Sequence, residues 1–352
     1  METGAEVVWR AIDARCAGRY SGGLLCMRGE RPGETGPTNV TSSMTSIAVQ
    51  RHAPIPTWFG VGGGADALAS PRTPAELDAC LEIDPSARML GDGANLLVDD
   101  GGVGGLVVKL AQGEFARVEP LPAGEGSGVA GTVTVRAGAG ANLPKLIVEA
   151  VRMGLGGIEG LAGIPATVGG ALVMNAGGSF GQIADVVRRV HATTREGDRL
   201  TLDRSEIAFA YRCSGLNRLI ITGCELELRR ADPAALRARL KDVMAYKKGT
   251  QPMAENSAGC CYKNPTLAAG IEGIGEPGAR VSAGMLIDRA GCKGLAVGGA
   301  AVSHHHANFF TVRPGARAAD VIALMGEVER RVLDRFGVAL EREVVVWRRE
   351  GA

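Results

Sequence analysis

Three short segments of this sequence hold the side chains best suited to chemistry. They contain the guanidinium of Arg212, the adjacent thiols of Cys260 and Cys261, and the carboxylate of Glu343. A guanidinium always carries charge and grips a carboxylate in two places, whereas thiols and carboxyl groups donate protons. Each residue type also has a common structural use, as a surface arginine, a buried cysteine or a solvated glutamate. The residue types alone therefore leave a catalytic and a structural interpretation open.

Two glycine-rich segments are candidates for holding a phosphate or a planar cofactor. Residues 91–98 read Gly-Asp-Gly-Ala-Asn-Leu-Leu-Val and follow a strand-like run. Such a corner exposes backbone N–H groups without side-chain bulk, which suits a phosphate, although a tight turn gives the same pattern. Residues 160–178 are too apolar for a solvated loop and too rich in glycine for the interior of a helix or strand. We expect their backbone to lie against a buried group, in a fold without the Rossmann spacing G-x-G-x-x-G.

The charge balance and hydropathy exclude several classes of partner. The chain has 39 Lys and Arg against 38 Asp and Glu, and no basic run is interleaved with aromatic residues. We therefore expect no nucleic-acid partner and no anionic membrane surface as partner. No apolar stretch is long enough to span a bilayer and the first residues lack a signal-peptide pattern, so the expected location is the cytoplasm.

The cysteines and histidines do not predict a metal site. The eight cysteines are scattered without C-x-x-C spacing, which argues against zinc or a disulfide framework and favours reduced thiols. The run His304-His305-His306 lacks an accompanying cluster of cysteines or carboxylates, and adjacent residues project in different directions. We predict no bound metal.

The elements that must position these residues alternate from about Pro56 onward between strands and amphipathic helices, which indicates an α+β protein. Capping signals predict helices after Thr73, Asn142 and Asp232, and a helical stripe runs from Val321 to Phe336. Strands are predicted near residues 88–90, 105–110, 132–137, 186–194, 219–228 and 344–346, with a polar loop between the fourth and fifth.

From about Pro56 to Trp347, the order of these motifs resembles the UDP-N-acetylenolpyruvoylglucosamine reductases. The two glycine-rich segments look like that family's FAD loops, and Tyr211-Arg212-Cys213-Ser214 looks like its Tyr-Arg-x-Ser motif. Residues 257–265 resemble its Ser-Ala-Gly-Ser-x-Phe-Lys-Asn-Pro segment, and residues 340–344 resemble Leu-Glu-Pro-Glu-Val. Departures are Ala94 for serine, Arg342 for proline, and Gly-Ser-Phe-Gly at 178–181 for Gly-Ala-Tyr-Gly.

The resemblance implies a fold and a division into domains. It implies a vanillyl-alcohol-oxidase-type (PCMH-type) FAD-binding fold over residues 51–230, in subdomains of about 51–117 and 118–230, followed by a C-terminal α+β substrate-binding domain over 231–352. Residues 1–50 are predicted to be a flexible extension in which Met44 is a candidate translation start. About fifty residues separate Arg212 from Cys260, as in the shorter of the family's two types, which lacks an inserted substrate-closing loop.

The implied cofactors are FAD and, as hydride-donating cosubstrate, NADPH. The family's loops carried onto this sequence give the following FAD contacts: Gly91, Asp92, Gly93, Ala94, Asn95, Leu96, Gly163, Ile164, Pro165, Ala166, Thr167, Gly169, Gly170, Asn175, Ala176 and Gly177.

The implied reaction reduces the enol ether of UDP-N-acetylglucosamine enolpyruvate, which requires a hydride, a cation at the carboxylate and an acid for the α carbon. The resemblance gives the cation to Arg212, the stabilising carboxylate to Glu343 and the proton to Cys260. Counting back from Lys263-Asn264-Pro265 places Cys260, not Cys261, at the family's proton-donating serine. A thiol with a reference pKa near ~8.5 is a far better acid than a serine hydroxyl.

The implied substrate carries a diphosphate, so basic and amide side chains are expected around it. The candidates are Tyr211, Lys247, Lys263, Asn264, His306 and Asn308. A monomer or weak oligomer is expected. Two other functions stay open: an oxygen-dependent FAD oxidase of the same fold acting on a sugar or hydroxy acid, and a flavin-free protein that binds a sugar nucleotide.

Overall fold

The structure is a computed structural model and describes residues 47–122 and 129–349. The candidate start at Met44 and all but the last four residues of the predicted flexible extension, residues 1–50, lie outside these ranges. Of those four residues, Val49 and Gln50 belong to the first strand. Within the described ranges none of the helices is both long and apolar enough to cross a bilayer.

The described helices and strands alternate as an α+β fold requires. The strands are β1 Val49–Ala53, β2 Ala65–Ala69, β3 Arg88–Leu90, β4 Leu96–Val98, β5 Val103–Lys109, β6 Val118–Pro120, β7 Thr132–Gly138, β8 Leu155–Gly156, β9 Gly177–Gly178, β10 Gly181–Gln182, β11 Val187–Thr193, β12 Arg199–Asp203, β13 Ile220–Arg230, β14 Ala296–Val297, β15 Ala300–Val302, β16 Phe310–Val312 and β17 Val345–Trp347. The α-helices are α1 Pro74–Ile83, α2 Leu143–Arg152, α3 Val168–Val173, α4 Pro233–Thr250, α5 Ala283–Arg289 and α6 Ala318–Phe336.

Helix starts follow the capping residues that the sequence indicated. Thr73 accepts the N–H of Glu76 at the start of α1, and Asn142 accepts the N–H of Lys145 at the start of α2. Asp232 accepts two N–H groups at the start of α4. A short polar side chain satisfies donors that the helix itself leaves free, and this local chemistry makes the starts predictable.

Two sheets form the N-terminal part of the described chain. A four-stranded sheet has the order β1-β2-β5-β3, with β1 antiparallel to β2 and the other neighbours parallel. An antiparallel sheet has the order β12-β11-β13-β7-β6, and β8 pairs with the far end of β13. Helices α2 and α3 contribute their apolar faces to one cluster of buried residues with these sheets, which extends from Ala69 to Leu228.

The C-terminal residues build a second cluster of buried residues. It joins α5, α6 and the sheet β14-β15-β16 with Phe59 and Leu97 from the N-terminal part. The last strand, β17, pairs in parallel with β4, which forms the end of the first glycine-rich segment. This pairing brings the C-terminal residues before β17 next to that segment. The domain limits predicted from the sequence stay a prediction.

Two expectations about local structure were wrong. The polar loop predicted between β11 and β13 contains strand β12, which pairs along all of its length with β11. The second glycine-rich segment is not free of helix, because α3 includes Gly169 and Gly170. A Cβ on Gly169 would lie 3.0 Å from the Cβ of Ala139, so glycine is needed there for close packing of the helix against the chain after β7.

Candidate functional site

Arg212 lies in a tight turn in which Ala210 and Cys213 exchange backbone hydrogen bonds. Its φ of 54° lies in the left-handed region, which is uncommon for a residue other than glycine and is often found at functional sites. Its Nη1 donates a hydrogen bond of 2.8 Å to the carbonyl of Gly177. The turn therefore directs the guanidinium toward the end of the second glycine-rich segment.

Arg212 and Glu343 form a largely buried ion pair. The Arg212 Nε lies 2.6 Å from Oε1 of Glu343, and the two side chains are 21% and 11% exposed. The Nε–H does not point along this line, so the contact is a close ion pair without hydrogen-bond geometry. Burial raises the pKa of Glu343, against the opposing charges of Arg212 and Lys263. A permanent cation thus faces a carboxyl group that holds a proton more readily than usual.

Cys260 lies beside this pair. The backbone N–H of Glu343 donates to the carbonyl of Cys261 at 2.8 Å, and Cys260 itself forms a β-bridge with Phe309. Burial and the charge of Glu343 raise the pKa of the Cys260 thiol to about 12, while Arg212 acts in the opposite direction. The expectation that Cys260 has the acidity of an ordinary thiol is therefore wrong. The thiol is largely protonated at neutral pH and is a reservoir of one proton.

The first glycine-rich segment presents a row of unpaired backbone donors. Among the described residues, no acceptor is paired with the N–H groups of residues 91–95. Gly93 has a φ of 67°, and a Cβ there would collide with the carbonyl of Pro56. Successive N–H groups without a protein acceptor suit an anion such as the diphosphate of a dinucleotide.

The second glycine-rich segment lies against the first. A Cβ on Gly91 would be 3.0 Å from Oγ1 of Thr167, the residue whose hydroxyl caps α3 by accepting the N–H of Gly170. Gly163, with a φ of 74°, lies against the aliphatic part of Lys247. The predicted FAD contacts of the two segments are thus neighbours in space, and the donors and close backbone approaches fit the predicted cofactor. The individual contacts stay predictions.

The predicted substrate residues lie in two groups, of which the first borders the ion pair. Lys247, near the end of α4, is 9% exposed, and burial together with the charge of Arg212 lowers its pKa to about 8. The Tyr211 hydroxyl accepts the N–H of Asn264. Lys263 forms an ion pair of 2.6 Å with Glu341.

The second group lies in the loop between β15 and β16. Asn308 is buried and its amide bonds both the N–H and the carbonyl of Tyr262, at 2.9 and 2.8 Å. Its backbone carbonyl accepts the N–H of Cys261 at 2.8 Å. His306 accepts the N–H of Asn308 and packs against Phe309. Asn308 therefore supports the segment that carries Cys260, and its contact with substrate stays a prediction.

Arg280 is a further candidate that no motif in the sequence indicates. Its guanidinium lies 4.4 Å from the ring centroid of Tyr211, on an exposed residue two positions before the cap of α5. A lone basic residue in a glycine-rich loop has no distinguishing spacing. Only its proximity to Tyr211 makes it a candidate for contact with an anionic substrate.

The predicted catalytic trio is therefore brought together, while the triple histidine does not gather other ligands. Across residues 47–122 and 129–349, no group of three or more His, Cys, Asp and Glu side chains is arranged to hold a metal ion. His305 instead contacts the carbonyl of Gly249 near the end of α4, at 3.0 Å.

Comparisons with known proteins agree with this arrangement. The family profile "UDP-N-acetylenolpyruvoylglucosamine reductase, C-terminal domain" matches residues 251–347, and that of a FAD-binding domain matches residues 65–203. The UDP-N-acetylenolpyruvoylglucosamine reductase of Desulfosudis oleivorans is 41% identical over 82% of this chain and 91% of its own. That of Moorella thermoacetica is 40% identical over 86% of this chain and 93% of its own.

A solved structure extends the comparison to the fold. The crystal structure of UDP-N-acetylenolpyruvylglucosamine reductase (MurB) from Thermus caldophilus is 37% identical to this chain, with a TM-score of 0.67. It covers 86% of this chain and 99% of the Thermus chain. Together with the FAD-binding profile, it confirms the predicted fold. The chain belongs to the family of UDP-N-acetylenolpyruvoylglucosamine reductases.

Proposed function

We propose that this protein catalyses the NADPH-dependent, FAD-mediated reduction of UDP-N-acetylglucosamine enolpyruvate to UDP-N-acetylmuramate, a cytoplasmic step of peptidoglycan precursor synthesis. The observation that carries the proposal is the convergence of Arg212, Cys260 and Glu343 beside the two glycine-rich segments. Family membership supports the same reaction.

The two glycine-rich segments are the proposed FAD site. The unpaired N–H groups of residues 91–95 would hold the diphosphate, and the backbone around Gly163 and Thr167 would lie along the cofactor. FAD, reduced by NADPH, would supply the hydride to the methylene carbon of the substrate. The chain's own side chains must then stabilise the electron pair and deliver one proton.

Arg212 is proposed to bind the substrate carboxylate and stabilise the negative charge that develops there when the double bond is reduced. Its charge is permanent, and its environment excludes most water, so the stabilisation is stronger than in solution. Glu343 fixes the guanidinium from the other side. Its raised pKa allows it to hold or accept a proton at the enol oxygen.

Cys260 is proposed to donate the proton of its Sγ–H to the α carbon. The α carbanion of a carboxylate is a far stronger base than a thiolate, so the transfer is downhill even with the thiol pKa raised to about 12. Arg212 stabilises the thiolate left behind, which regains a proton from solvent. One hydride and one proton together convert the double bond to a single bond.

Lys247, Lys263, Asn264 and Tyr211 are proposed to bind the nucleotide portion of the substrate, with His306 and Asn308 as further contacts. The charge of Arg212 contributes to the lowered pKa of Lys247, so Lys247 lies near the Arg212–Glu343 pair. A second cation beside this pair favours an anionic ligand. A monomer or weak oligomer remains the expected state.

The first test follows the colour of the flavin in the purified protein. NADPH should bleach the flavin in the absence of oxygen, and the enolpyruvyl substrate should restore the colour rapidly, whereas air should do so slowly. Rapid recolouring by air together with inertness toward the enolpyruvyl substrate would support the oxidase alternative. A well-folded but colourless protein that binds no added FAD would contradict both enzymatic functions.

The proton donor is tested by comparing Cys260→Ser with Cys260→Ala in stopped-flow experiments. Serine should retain substantial reoxidation of the reduced flavin, whereas alanine should lose about 10²-fold to 10⁴-fold, the usual contribution of a positioned acid. Reduction by NADPH should stay near the wild-type rate in both. Wild-type product formation by Cys260→Ala would show that another group donates the proton.

A further inference from the structure

We propose that Asn95 and Asn175, one in each glycine-rich segment, are positioning residues whose side chains hold Glu343 and Arg212 in place. The resemblance gave both asparagines to the cofactor. Their hydrogen bonds instead run to the backbone of the segments that carry the ion pair. The inference rests on the proposed function, because it gives the loops that would bind FAD a second task.

Asn175 directs its side-chain amide away from the loops and into the protein. It is 2% exposed, and its Nδ2 donates to the carbonyl of Ala210 at 2.9 Å and to Oε1 of Gln182 at 3.0 Å. Its Oδ1 accepts the N–H of Ala184. Both amide protons and the oxygen are therefore used within the protein. The bond to Ala210 fixes the first residue of the turn that carries Arg212.

Two further hydrogen bonds hold the same turn to the same segment. Arg212 itself donates to the carbonyl of Gly177, and the buried Ser214 donates through Oγ to the carbonyl of Val173 at 2.8 Å. Both Asn175 and Arg212 have a positive φ, of 42° and 54°. Such backbone conformations persist only where surrounding contacts impose them. The hydrogen bonds of Asn175 to Ala210, of Arg212 to Gly177 and of Ser214 to Val173 supply those contacts, and together they form a clamp on the turn.

Asn95 makes the equivalent link for the carboxylate. Its Nδ2 donates to the carbonyl of Glu343 at 2.9 Å, and its own carbonyl accepts the N–H of Val345 at 3.0 Å. These bonds hold the chain directly after Glu343, on either side of Val344, and continue into the parallel pairing of β4 with β17. The carboxylate is thereby placed relative to the first glycine-rich segment by backbone contacts.

We call the side-chain bonds of Asn95 to Glu343 and of Asn175 to Ala210 the two tethers. Their geometry predicts opposite effects on the ionisation of the Cys260 thiol. Glu343 suppresses ionisation of Cys260 and Arg212 promotes it. Releasing Glu343 by Asn95→Ala should therefore raise the fraction of Cys260 thiolate. Releasing Arg212 by Asn175→Gly should lower it, and glycine tolerates the positive φ at this position. Ser214→Ala removes another bond of the same clamp and should act in the same direction as Asn175→Gly, without disturbing that φ.

The test measures alkylation of Cys260 by iodoacetamide in the purified full chain with its flavin, by mass spectrometry at about pH 9, where the rate follows the thiolate fraction. We expect about threefold faster modification in Asn95→Ala and about threefold slower modification in Asn175→Gly and Ser214→Ala, since one pKa unit is tenfold. Cys261 is buried and reports unfolding in the same peptide. Asn217→Ala, which removes an exposed amide in the same part of the chain, is the matched control and should match the wild type.

Parallel stopped-flow measurements connect the tethers to catalysis. Reoxidation of the bound, reduced flavin by the enolpyruvyl substrate should fall about tenfold or more, because misplacement of about 1 Å lowers rates steeply. Unchanged alkylation, equal acceleration in all variants, or loss of FAD without any change in alkylation would overturn the inference. A wild-type protein that does not react with NADPH or the substrate would refute the proposed function. The alkylation rates of the variants would then still test whether the two asparagines position Glu343 and Arg212.

Discussion

Two glutamates of this protein with largely buried side chains have very different electrostatic surroundings. Glu225, on β13, has a side chain that is only 4% exposed and faces four basic residues. Arg188 lies 2.9 Å away, His191 3.4 Å, Arg136 3.6 Å and Arg189 3.8 Å. Burial lowers the pKa of His191, so this neighbour is largely neutral at pH 7 and the arginines supply the compensation. The carboxylate of Glu225 has more than enough positive charge around it.

Among the residues that the structure describes, one basic side chain forms a close ion pair with Glu343. Arg212 lies 2.6 Å away, and the pKa of Glu343 is nevertheless raised, because burial outweighs the attraction of Arg212 and Lys263. Buried carboxylates normally find enough partners to stay ionised. A carboxyl group left poised to hold a proton, beside a cation with a strained backbone, is typical of a reacting site and not of a structural one.

The comparison predicts that removing the charge of Glu343 affects chemistry far more than stability. Glu343→Gln should lower flavin reoxidation by the substrate about 10²-fold to 10³-fold, the loss typical of removing one electrostatic group at a reacting centre. Its free energy of unfolding at neutral pH should change by less than about 1 kcal/mol, because burial of the ionised form already opposes the gain from Arg212. Stopped-flow kinetics and urea titration measure the two effects.

The sign of the pH dependence gives a check on this prediction. A folded-state pKa raised above the unfolded value means that the folded form binds the proton more tightly, so this residue destabilises the fold progressively as pH rises through that range. The stability of Glu343→Gln relative to wild type should therefore increase with pH from acid to neutral. Glu341→Gln, which alters an exposed carboxylate two residues away, is the control and should retain reoxidation. A large loss of stability with intact reoxidation would make Glu343 structural.

Glu225→Gln should show the reverse pattern. Leaving three arginines without their shared carboxylate should lower the free energy of unfolding by about 2–3 kcal/mol, somewhat less than for a fully buried pair because the arginines reach solvent. Flavin reoxidation should stay within about twofold of wild type, since this cluster lies outside the proposed site. Glu227→Gln, two residues along the same strand, should leave stability within about 0.5 kcal/mol. Equal stability of the Glu225 and Glu227 variants would contradict the comparison.

Local chemistry made much of this fold predictable from the sequence. The side chains of Thr73, Asn142 and Asp232 satisfy donors within their own helices, so their effect needs no knowledge of the rest of the chain. Helix α3 was missed because its glycines are there for packing against Ala139, a contact that only the tertiary structure creates. Strand β12 was missed because its edge position tolerates polar residues.

In the candidate site, too, some features follow from the sequence and others arise only from the tertiary structure. Resemblance supplied the identities of Arg212, Cys260 and Glu343, and the structure brings them together. It did not supply the acidity of Cys260, because burial raises that pKa well above the ordinary thiol value. The interior use of Asn175 was equally hidden, since a loop asparagine reads the same in sequence whether it faces a cofactor or a neighbouring turn.

The smallest expected effect concerns Lys247. Its titration distinguishes the surroundings of Glu343 further from those of Glu225, where the arginines keep their charge. Burial and Arg212 lower its pKa to about 8, so the lysine is charged below that pH and neutral above it. If it binds the substrate diphosphate, KM for the substrate should rise up to about tenfold from pH 7 to pH 9, by an amount that follows loss of the charge. Lys247→Arg keeps the charge throughout and should flatten this profile. An equally steep rise in Lys247→Arg would assign the pH dependence to another group and would contradict a role of the Lys247 charge in binding the substrate.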